Sequence, residues 1–222
     1  MTHFDDPDAV TRYAASALRM VPGLHDLHKM CRILLAEAAG PQADILVLGA
    51  GGGMELAAFA GAEAGWRFTG VDPSAPMLSL AARTLGPDAD RATLHQGYID
   101  TAPPGPYDGA ACLLTLHFLP PDERLQTLRH LHRRLRPGAR LVTAHHSIPE
   151  DGKTRWLTRF AAFAQSNGLP QLQAAAMIPT LATRLPTLSP AEDEALLHAA
   201  GFTDVQLFYA AFTFRGWVAT RP

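Results

Sequence analysis

A cluster of glycines directly after a short apolar run constrains this chain more than any other feature. Residues 45–55 read I-L-V-L-G-A-G-G-G-M-E. A short apolar run that ends at glycine is typical of a buried strand in a parallel sheet. Glycine permits positive φ angles and carries no Cβ, so the backbone can approach a bound group closely. Residues 56–64 are nearly all good helix formers. We therefore predict a strand, a glycine turn and a helix whose free N–H groups face a ligand.

Strand-like and helix-like segments alternate through most of the chain. The strands predicted after the glycine run are 66–72, 91–95, 107–118, 139–145, 202–209 and 211–220. The helices predicted between them are 77–85, the segment from P-P-D-E to Leu135, and 189–200. Alternation at this spacing builds βαβ units, which indicates an α/β fold with a parallel sheet and right-handed crossovers. The last two strands are too close for a helical crossover, so we expect them to pair antiparallel.

Two helical segments precede the glycine run, and two more follow the fifth predicted strand. The first pair, about 9–20 and 25–39, is broken at V-P-G. The second pair, 153–166 and 170–183, has no strand between its members. Its position at the carboxyl side of the sheet is where a lid over a ligand crevice would lie. We expect one domain over residues 1–222, with N-terminal helices at 1–40 and a helical lid at 147–188.

The composition indicates which partners and which cellular compartment to expect. The chain has 19 Lys and Arg residues against 21 Asp and Glu residues, so we do not expect a nucleic-acid partner. Arginines between residues 124 and 140 share a helical pattern with leucines, which indicates a solvated helix face. The start M-T-H-F-D-D-P-D lacks the regions of a signal peptide, and no apolar run is long enough for a membrane span. With Cys31 and Cys112 as buried free thiols, we expect a cytoplasmic protein.

The spacing of the glycines discriminates between nucleotide-type cofactors. Dinucleotide-binding loops read G-x-G-x-x-G, and their third glycine would fall on Met54. Here the glycines stand at positions 49, 51, 52 and 53. Asp72 ends the second predicted strand, 23 positions after Gly49, close to the roughly 20 residues at which an acid meets ribose hydroxyls. Because D-P-S is also good turn chemistry, a turn carboxylate is the alternative to the ribose contact, which we favour.

Several landmarks in order resemble the class I S-adenosyl-L-methionine-dependent methyltransferases. They are L-G-A-G-G-G, G-V-D-P-S-A-P-M-L, Y-D-G-A-A-C-L-L-T-L-H-F-L, L-R-P-G-A-R-L-V and A-G-F-T-D-V. The resemblance runs from about residue 45 to the C-terminus. It implies a Rossmann-like sheet of seven strands in the order 3-2-1-4-5-7-6, with the last strand antiparallel. It also implies S-adenosyl-L-methionine as the cofactor and a methyltransferase reaction.

The same resemblance implies a set of cofactor-binding residues. The glycine loop would face the methionine part, the acid of the second strand would hold the ribose, and two loops would flank the adenine. The end of the fourth strand would lie beside the sulfonium. These positions are Gly49, Ala50, Gly51, Gly53, Asp72, Pro73, Met77, Tyr98, Ile99, Leu114, Thr115 and Leu116. The acid that such enzymes often carry two residues before the first glycine is Val47 here, a departure that bears on affinity more than on identity.

A second resemblance is to the carboxy-S-adenosylmethionine synthase family, which alters the cofactor for a tRNA wobble modification. R-M-V-P-G-L, F-L-P-P-D-E-R, S-N-G-L and A-F-T-F-R-G-W-V-A carry it. The distinguishing residues of that family do not carry over. Its tyrosine, adenine-side aspartate, fourth-strand asparagine and carboxylate-binding arginine align with Leu24, Tyr98, Leu113 and Ile178. A carboxylate without its cation in an apolar pocket costs several kcal/mol, so we expect the architecture of that family and not its reaction.

Histidines at the carboxyl edge of the sheet are the candidate catalytic residues. His117 and His146 follow or end predicted strands at the edge where ligands bind. Methyl transfer depends mainly on in-line approach, but a base with a pKa near neutrality would help an oxygen or protonated nitrogen acceptor. A histidine hydrogen-bonded within the lid interface is an equally open alternative. The His and Cys pairs of the sequence lack a third ligand, so we expect no metal.

Three functional hypotheses remain open on the sequence. The leading one is methyl transfer to a small, partly apolar acceptor under the 153–183 segment. The apolar side chains of that segment are Trp156, Phe160, Phe163, Leu172, Met177 and Ile178. The same set is compatible with ordinary core or with a homodimer interface. The alternatives are a carboxy-S-adenosylmethionine synthase-like enzyme and a non-catalytic cofactor-binding module. A small-molecule acceptor is the expected partner, without membrane or nucleic acid.

Overall fold

The computed structural model describes residues 7–149 and 151–222. The first six residues, on which the expectation about a signal peptide depends, lie outside this range. The helices are α1 (Pro7–Met20), α2 (Leu24–Ala36), α3 (Met54–Ala62), α4 (Ala75–Leu85), α5 (Pro121–Arg134), α6 (Lys153–Ser166), α7 (Gln171–Arg184) and α8 (Pro190–Ala199). The strands are β1 (Ala43–Leu48), β2 (Trp66–Asp72), β3 (Ala92–Gln96), β4 (Tyr107–Leu113), β5 (Leu135–His146), β6 (Thr203–Ala211) and β7 (Phe214–Thr220).

The seven strands form one sheet in the order β3-β2-β1-β4-β5-β7-β6. Strands β1 to β5 pair in parallel, and β7 runs antiparallel to both β5 and β6. This confirms the predicted fold class and strand order. The order reverses between β1 and β4, and ligands of open α/β sheets bind outside the carboxyl ends of strands at such a point.

Strand β1 lies at the centre of the sheet and contributes to the core on both faces. Ile45 and Val47 belong to one buried cluster, together with Leu27 of α2 and Phe59 of α3. Leu46 and Leu48 belong to a second cluster, which contains Leu128 of α5 and Leu197 of α8. Side chains alternate between the faces of a strand, so an unbroken apolar run is what a strand covered on both faces requires. The run also places the glycine loop at the sheet edge.

Two helices start at a serine that caps their first turn. Ser74 precedes α4, and its Oγ accepts a hydrogen bond from the Met77 N–H at 3.3 Å. Ser189 precedes α8 and forms a capping box with Glu192. Because each cap satisfies backbone N–H groups that have no partner inside the helix, it fixes where the helix begins.

Strand β4 is shorter than its sequence predicts. The apolar run continues to Phe118, but the strand ends at Leu113. Leu114 has a φ angle of 56°, in the left-handed region that usually favours glycine, and a short 3₁₀ turn follows at Leu116–Phe118. The Leu114 N–H donates to the carbonyl of Ala144 on β5 at 2.6 Å. The early end turns Leu114 and Thr115 out of the sheet at its carboxyl edge.

The prediction of a solvated arginine face is wrong for two residues. Arg124 is fully buried, and its Nη1 lies 2.6 Å from Oδ1 of Asp193 on α8. Arg134 is also buried and donates to the backbone carbonyls of the 100–103 loop. Arg129 and Arg133, by contrast, are exposed as predicted. Helix α5 therefore turns two of its arginines inward, where they tie it to α8 and to the loop after β3.

Helices α6 and α7 pack on each other beside α1. The buried residues of α6 include Leu157 and Phe160, and the Phe160 ring lies 5.7 Å from that of Phe214 on β7. Leu172 of α7 is 86% exposed. The proposed division into one domain with an inserted lid stays a prediction. Among the described residues, no helix is long and apolar enough to cross a membrane.

Candidate active site

A cavity of about 1050 Å³ opens where the carboxyl ends of β1, β2, β3 and β4 meet. Its lining begins with Leu48 at the end of β1 and includes Leu113 at the end of β4. Nine of the twelve residues predicted to bind the cofactor line it together. They are Gly49, Gly51, Asp72, Pro73, Met77, Tyr98, Ile99, Leu114 and Thr115. Residues that are far apart in the sequence thus converge on one concave surface.

The other three predicted residues lie behind that surface. Ala50 is fully buried, and Leu116 is 1% exposed within the core. Gly53 is the N-cap of α3 with a φ angle of 75°, and a Cβ there would lie 2.7 Å from the Cα of Ala81 on α4. These residues therefore shape the glycine loop and its packing, and they do not face the cavity.

Gly49 is the position where the chain most clearly needs glycine. Its φ angle is 76°, and a Cβ added there would lie 1.9 Å from Oγ1 of Thr115. The Gly49 and Ala50 N–H groups both donate to the carbonyl of Val71, at 2.8 and 3.0 Å. Any side chain at position 49 would collide with Thr115, two residues after β4 ends. Glycine therefore allows the loop and the segment after β4 to lie close together beside the cavity.

Asp72 links the glycine loop to the start of α4. Its carboxylate accepts hydrogen bonds from the N–H of Gly51 at 3.0 Å and from the N–H of Ser74 at 2.9 Å. Burial raises the pKa of Asp72, and the two backbone hydrogen bonds oppose that effect. The bond from Ser74 is the turn chemistry that the sequence offers as an alternative. The ribose contact stays a prediction, and the half-buried carboxylate lines the cavity where that contact would form.

Tyr13 of α1 also lines the cavity, and the sequence did not reveal it. A Cβ on Gly52 would lie 2.8 Å from Cδ1 of the Tyr13 ring. Burial, together with the nearby Glu55 and Asp72 carboxyl groups, raises the pKa of Tyr13. The ring therefore covers the glycine loop from the side of the N-terminal helix. No local signal marks this residue, because α1 precedes the segment that carries the methyltransferase landmarks.

A buried carboxyl group lies beneath the glycine loop. Glu55 is 8% exposed in the first turn of α3, and burial raises its pKa to about 8, with a smaller contribution from Asp72. The group is mostly protonated at neutral pH for that reason. Val47, two residues before Gly49, is fully buried in the sheet.

Helix α5 and the turn before it form the opposite wall of the cavity. The lining residues of this wall are Phe118, Leu119, Asp122, Glu123, Gln126, Thr127 and His130. The sequence signal that could have found them is a polar stripe with a spacing of four along α5, opposite its buried leucines. Phe118 is 50% exposed, and Tyr98 across the cavity is 66% exposed. No Lys or Arg occurs among the described residues that line the cavity, while four carboxylates do.

His130 has a defined proton arrangement. Its Nδ1 lies 3.2 Å from Nη1 of Arg134, and a guanidinium can only donate. The neutral ring therefore accepts at Nδ1 and carries its proton on Nε2. Burial and the positive charges of Arg133 and Arg134 lower the pKa of His130, so this neutral form prevails.

The structure places His117 and His146 away from the cavity. Each is 5% exposed, and neither lines the cavity. His146 Nδ1 lies 2.9 Å from Oγ1 of Thr213, and its ring stacks on Phe214 with centroids 4.0 Å apart. Burial lowers the pKa of His117, and it lowers the pKa of His146 to about 3. This placement does not support a role of either residue as a base for the acceptor, because a base must reach the proton that it removes; that role stays a prediction.

The predicted lid does not cover this cavity. No described residue between 153 and 183 belongs to its lining. Phe160 packs in the core, and Ile178 is half-buried elsewhere on α7. The lining of this cavity therefore does not support the expectation that this segment covers the acceptor, which stays a prediction. The physical reason is that the apolar face of α6 packs against α1, α7 and β7. In the described part of the chain, no group of three or more His, Cys, Asp or Glu side chains is placed to hold a metal ion.

Comparisons with known proteins agree with this architecture. Residues 46–141 match a protein-family model described as a methyltransferase domain. The chain is 28% identical over 221 residues to the carboxy-S-adenosyl-L-methionine synthase of Chromohalobacter salexigens, covering 96% of this chain and 82% of that protein. It is 24% identical over 222 residues to the synthase of Aeromonas hydrophila, covering 97% of this chain and 89% of that protein.

Solved methyltransferase structures share the fold. A putative O-methyltransferase from Nostoc punctiforme has a TM-score of 0.69 at 22% identity, covering 96% of this chain and 60% of that one. The magnesium protoporphyrin IX methyltransferase of Synechocystis, solved with bound SAH, has a TM-score of 0.72 at 18% identity, covering 99% and 97%. The chain thus spans about 60% of the length of the first structure and nearly all of the second. Residues 46–141 thus match a methyltransferase domain, and the chain has the fold of the class I S-adenosyl-L-methionine-dependent methyltransferases and is similar over nearly its whole length to carboxy-S-adenosyl-L-methionine synthases.

Proposed function

We propose that the chain transfers the methyl group of S-adenosyl-L-methionine to a small, partly apolar acceptor in the cavity at the carboxyl edge of the sheet. The observation that carries this proposal is the convergence of nine predicted cofactor-binding residues on one cavity of about 1050 Å³. Small-molecule sites commonly have volumes of roughly 300–1,000 Å³. The cavity therefore has room for the cofactor and a small second molecule.

The residues present fit this cofactor. Gly49 and Gly51 leave the loop without side chains where the methionine part would lie, and Asp72 offers carboxylate oxygens for ribose hydroxyls. Met77 and Ile99 supply apolar surface for the adenine ring. The bound cofactor supplies a methyl group activated by a positively charged sulfur. The chain itself orients the acceptor and excludes water, which is most of what methyl transfer requires.

The second candidate is formation of carboxy-S-adenosylmethionine, which the alignments to synthases over nearly the whole chain favour. That reaction places an additional carboxylate in the site. No Lys or Arg lines the described cavity, and Ile178, which aligns with the arginine of that family, lies outside it. A desolvated carboxylate without a cation costs several kcal/mol. The charges of the cavity therefore favour methyl transfer.

Calorimetric titration with S-adenosylmethionine and with S-adenosylhomocysteine tests the proposal. We expect the wild-type protein to bind both ligands. The variant D72N should bind them about tenfold or more weakly, because hydrogen bonds to a charged group contribute about 1.5–3 kcal/mol. The matched control is D26N, which removes an exposed carboxylate from the first turn of α2. If the wild-type protein bound neither ligand, the proposal would be rejected.

Mass spectrometry of the co-purified cofactor separates the two candidates. Methyl transfer predicts S-adenosylmethionine or its demethylated product. The synthase reaction predicts a cofactor with the additional mass of one carboxyl group, and its detection would replace methyl transfer with the second candidate.

A further inference from the structure

We infer that the acceptor atom is a nitrogen, carried as an amine or a ring nitrogen on an apolar body. This inference rests on the proposed methyl transfer and names its class of substrate. Three features of the cavity support it: the sign of its charges, its exposed aromatic faces, and the position of its histidine proton.

The charges of the cavity favour a positively charged or neutral acceptor. Asp100, Asp122 and Glu123 line it, and no cationic side chain appears among its described lining residues. A carboxylate or phosphate acceptor would lose its hydration there without gaining a charged partner. An ammonium group would meet opposite charge, which also raises its local concentration. Asp122 and Glu123 also complement the N-terminal dipole of α5. They keep their negative charge at the mouth of the cavity while they do so.

Two aromatic side chains present apolar surface at the same mouth. Tyr98 and Phe118 are 66% and 50% exposed, although most large apolar side chains of the described chain are covered. Both line the cavity. Exposed aromatic faces bind flat apolar bodies, and they also attract cations through the ring quadrupole. An acceptor with an apolar body and a basic nitrogen matches both properties.

The described lining of the cavity offers the acceptor no imidazole lone pair. A phenol or alcohol must give up its proton as the new bond forms, which normally requires a nearby base. His130 is the histidine in the described lining, and its Nδ1 already accepts from Arg134, so Nε2 carries a proton. The remaining bases in the described lining are carboxylates, which are weaker bases than a neutral imidazole. A neutral amine depends on them less than a phenol or an alcohol does, because its own lone pair is the nucleophile.

The step balances without a further reactant. An amine arrives largely as an ammonium ion, attracted by the carboxylates, and loses one proton to water. The apolar wall formed by Leu113, Leu114 and Leu119 favours this neutral form. The nitrogen lone pair then forms a bond to the methyl carbon while the carbon–sulfur bond breaks, and the electron pair of that bond goes to sulfur. The methylated ammonium product releases its proton to water, whereas a ring nitrogen without a proton keeps the positive charge.

Binding of three matched probes tests the inference. The probes are 2-naphthylmethylamine, 2-naphthylmethanol and 2-naphthoate, titrated into the protein with S-adenosylhomocysteine present at low salt. We expect the amine to bind about tenfold or more tightly than the carboxylate, since opposite charges attract and like charges repel at the mouth. With S-adenosylmethionine instead, mass spectrometry should find one added methyl group on the amine.

Paired variants locate the cause of the preference. The double variant D122N/E123Q should reduce the preference for the amine over the carboxylate by about fivefold, the effect of two exposed charges. D26N changes an exposed acid in the first turn of another helix, so it should leave the preference unchanged. Thermal unfolding of both variants should match that of the wild type, which shows that the fold is intact.

Three results would overturn the inference: equal binding of the amine and the carboxylate, a full preference in D122N/E123Q, or methylation of the alcohol or acid while the amine stays unmodified. Failure of the proposed function is distinguishable, because it appears as loss of cofactor binding in titrations without any probe. If the cofactor binds and the amine is not preferred, only this inference fails.

Discussion

A buried ion pair holds the helix that forms one wall of the cavity, and its removal gives the most direct test of the structure. The Arg124 and Asp193 side chains are 1% and 2% exposed, with Nη1 and Oδ1 2.6 Å apart. Arg124 also donates to the carbonyl of Pro186 at 2.9 Å, and His145 Nε2 lies 3.1 Å from the same Asp193 oxygen. Helix α5 is thereby fixed to α8 and to β5 through one cluster.

The perturbation is Arg124→Met, which keeps an unbranched side chain and removes the charge. Burial by itself raises the pKa of Asp193, but the adjacent His145 imidazole and the charge of Arg124 reverse this and hold the pKa below its ordinary value. Breaking a buried pair by removing one partner costs about 3–5 kcal/mol. Since domains have a total stability of only about 5–15 kcal/mol, this is a large share. The double variant R124M/D193N leaves no uncompensated charge and should recover at least half of the loss.

Urea unfolding followed by circular dichroism at neutral pH measures these free energies. Arg129→Met is the matched control, because Arg129 is exposed on the same helix and its loss should change the stability by no more than about 0.5 kcal/mol. A loss below about 1 kcal/mol for R124M would show that the buried pair does not hold α5 in place. A double variant as unstable as the sum of the single variants would contradict the pairing itself.

Three further predictions concern the loop, the buried histidines and α1. Gly49→Ala should abolish S-adenosylhomocysteine binding in calorimetry, because its φ is 76° and its Cβ would lie 1.9 Å from Thr115 Oγ1; Gly61→Ala, which meets no atom within 4 Å, is the control and should bind normally. His146 has a folded-state pKa of about 3, so the unfolded chain binds its proton first as the pH falls below about 6.5. The wild type should therefore lose about 2 kcal/mol from this residue at pH 5 in urea unfolding, and His146→Gln should lack that part of the loss. Tyr13→Ala should weaken S-adenosylhomocysteine binding while Tyr13→Phe keeps it, because the ring is what lies against Gly52; equal weakening in both variants would assign the effect to the hydroxyl.

The parts of the fold that could be predicted are those set by local physics. Strand β2 agrees with its predicted bounds at both ends, and α6 does so as well. The caps at Ser74 and Ser189 are also local features. Each of these signals is contained within a few neighbouring residues, since an apolar run needs cover on both faces and a cap needs a side-chain oxygen at one position. The strand order, by contrast, could be predicted only through the resemblance that the ordered landmarks carry.

The parts that could not be predicted depend on partners far away in the chain. Arg124 lies among leucines with helical spacing and has the pattern of a solvated face. The Asp193 carboxylate that pairs with it in the interior is 69 residues away. The end of β4 at Leu113 depends on a left-handed residue, Leu114, whose N–H bonds to Ala144 on the next strand. Neither the pairing nor the backbone conformation leaves a trace in the local pattern.

The first of the two helices after β5 contacts the N-terminal helix, so we expect this pair of helices to affect the cofactor side of the site and not the acceptor side. The location of residues 153–183 after β5 suggested a cover for the acceptor. In the structure α6 contacts α1, and the Asn167 side chain at the end of α6 donates to the carbonyl of Arg19 at 3.2 Å. Helix α1 in turn places Tyr13 over the glycine loop. Changes in the buried face of α6 should therefore alter affinity for the cofactor, whereas the choice of acceptor should depend on α5, whose polar stripe faces the cavity directly.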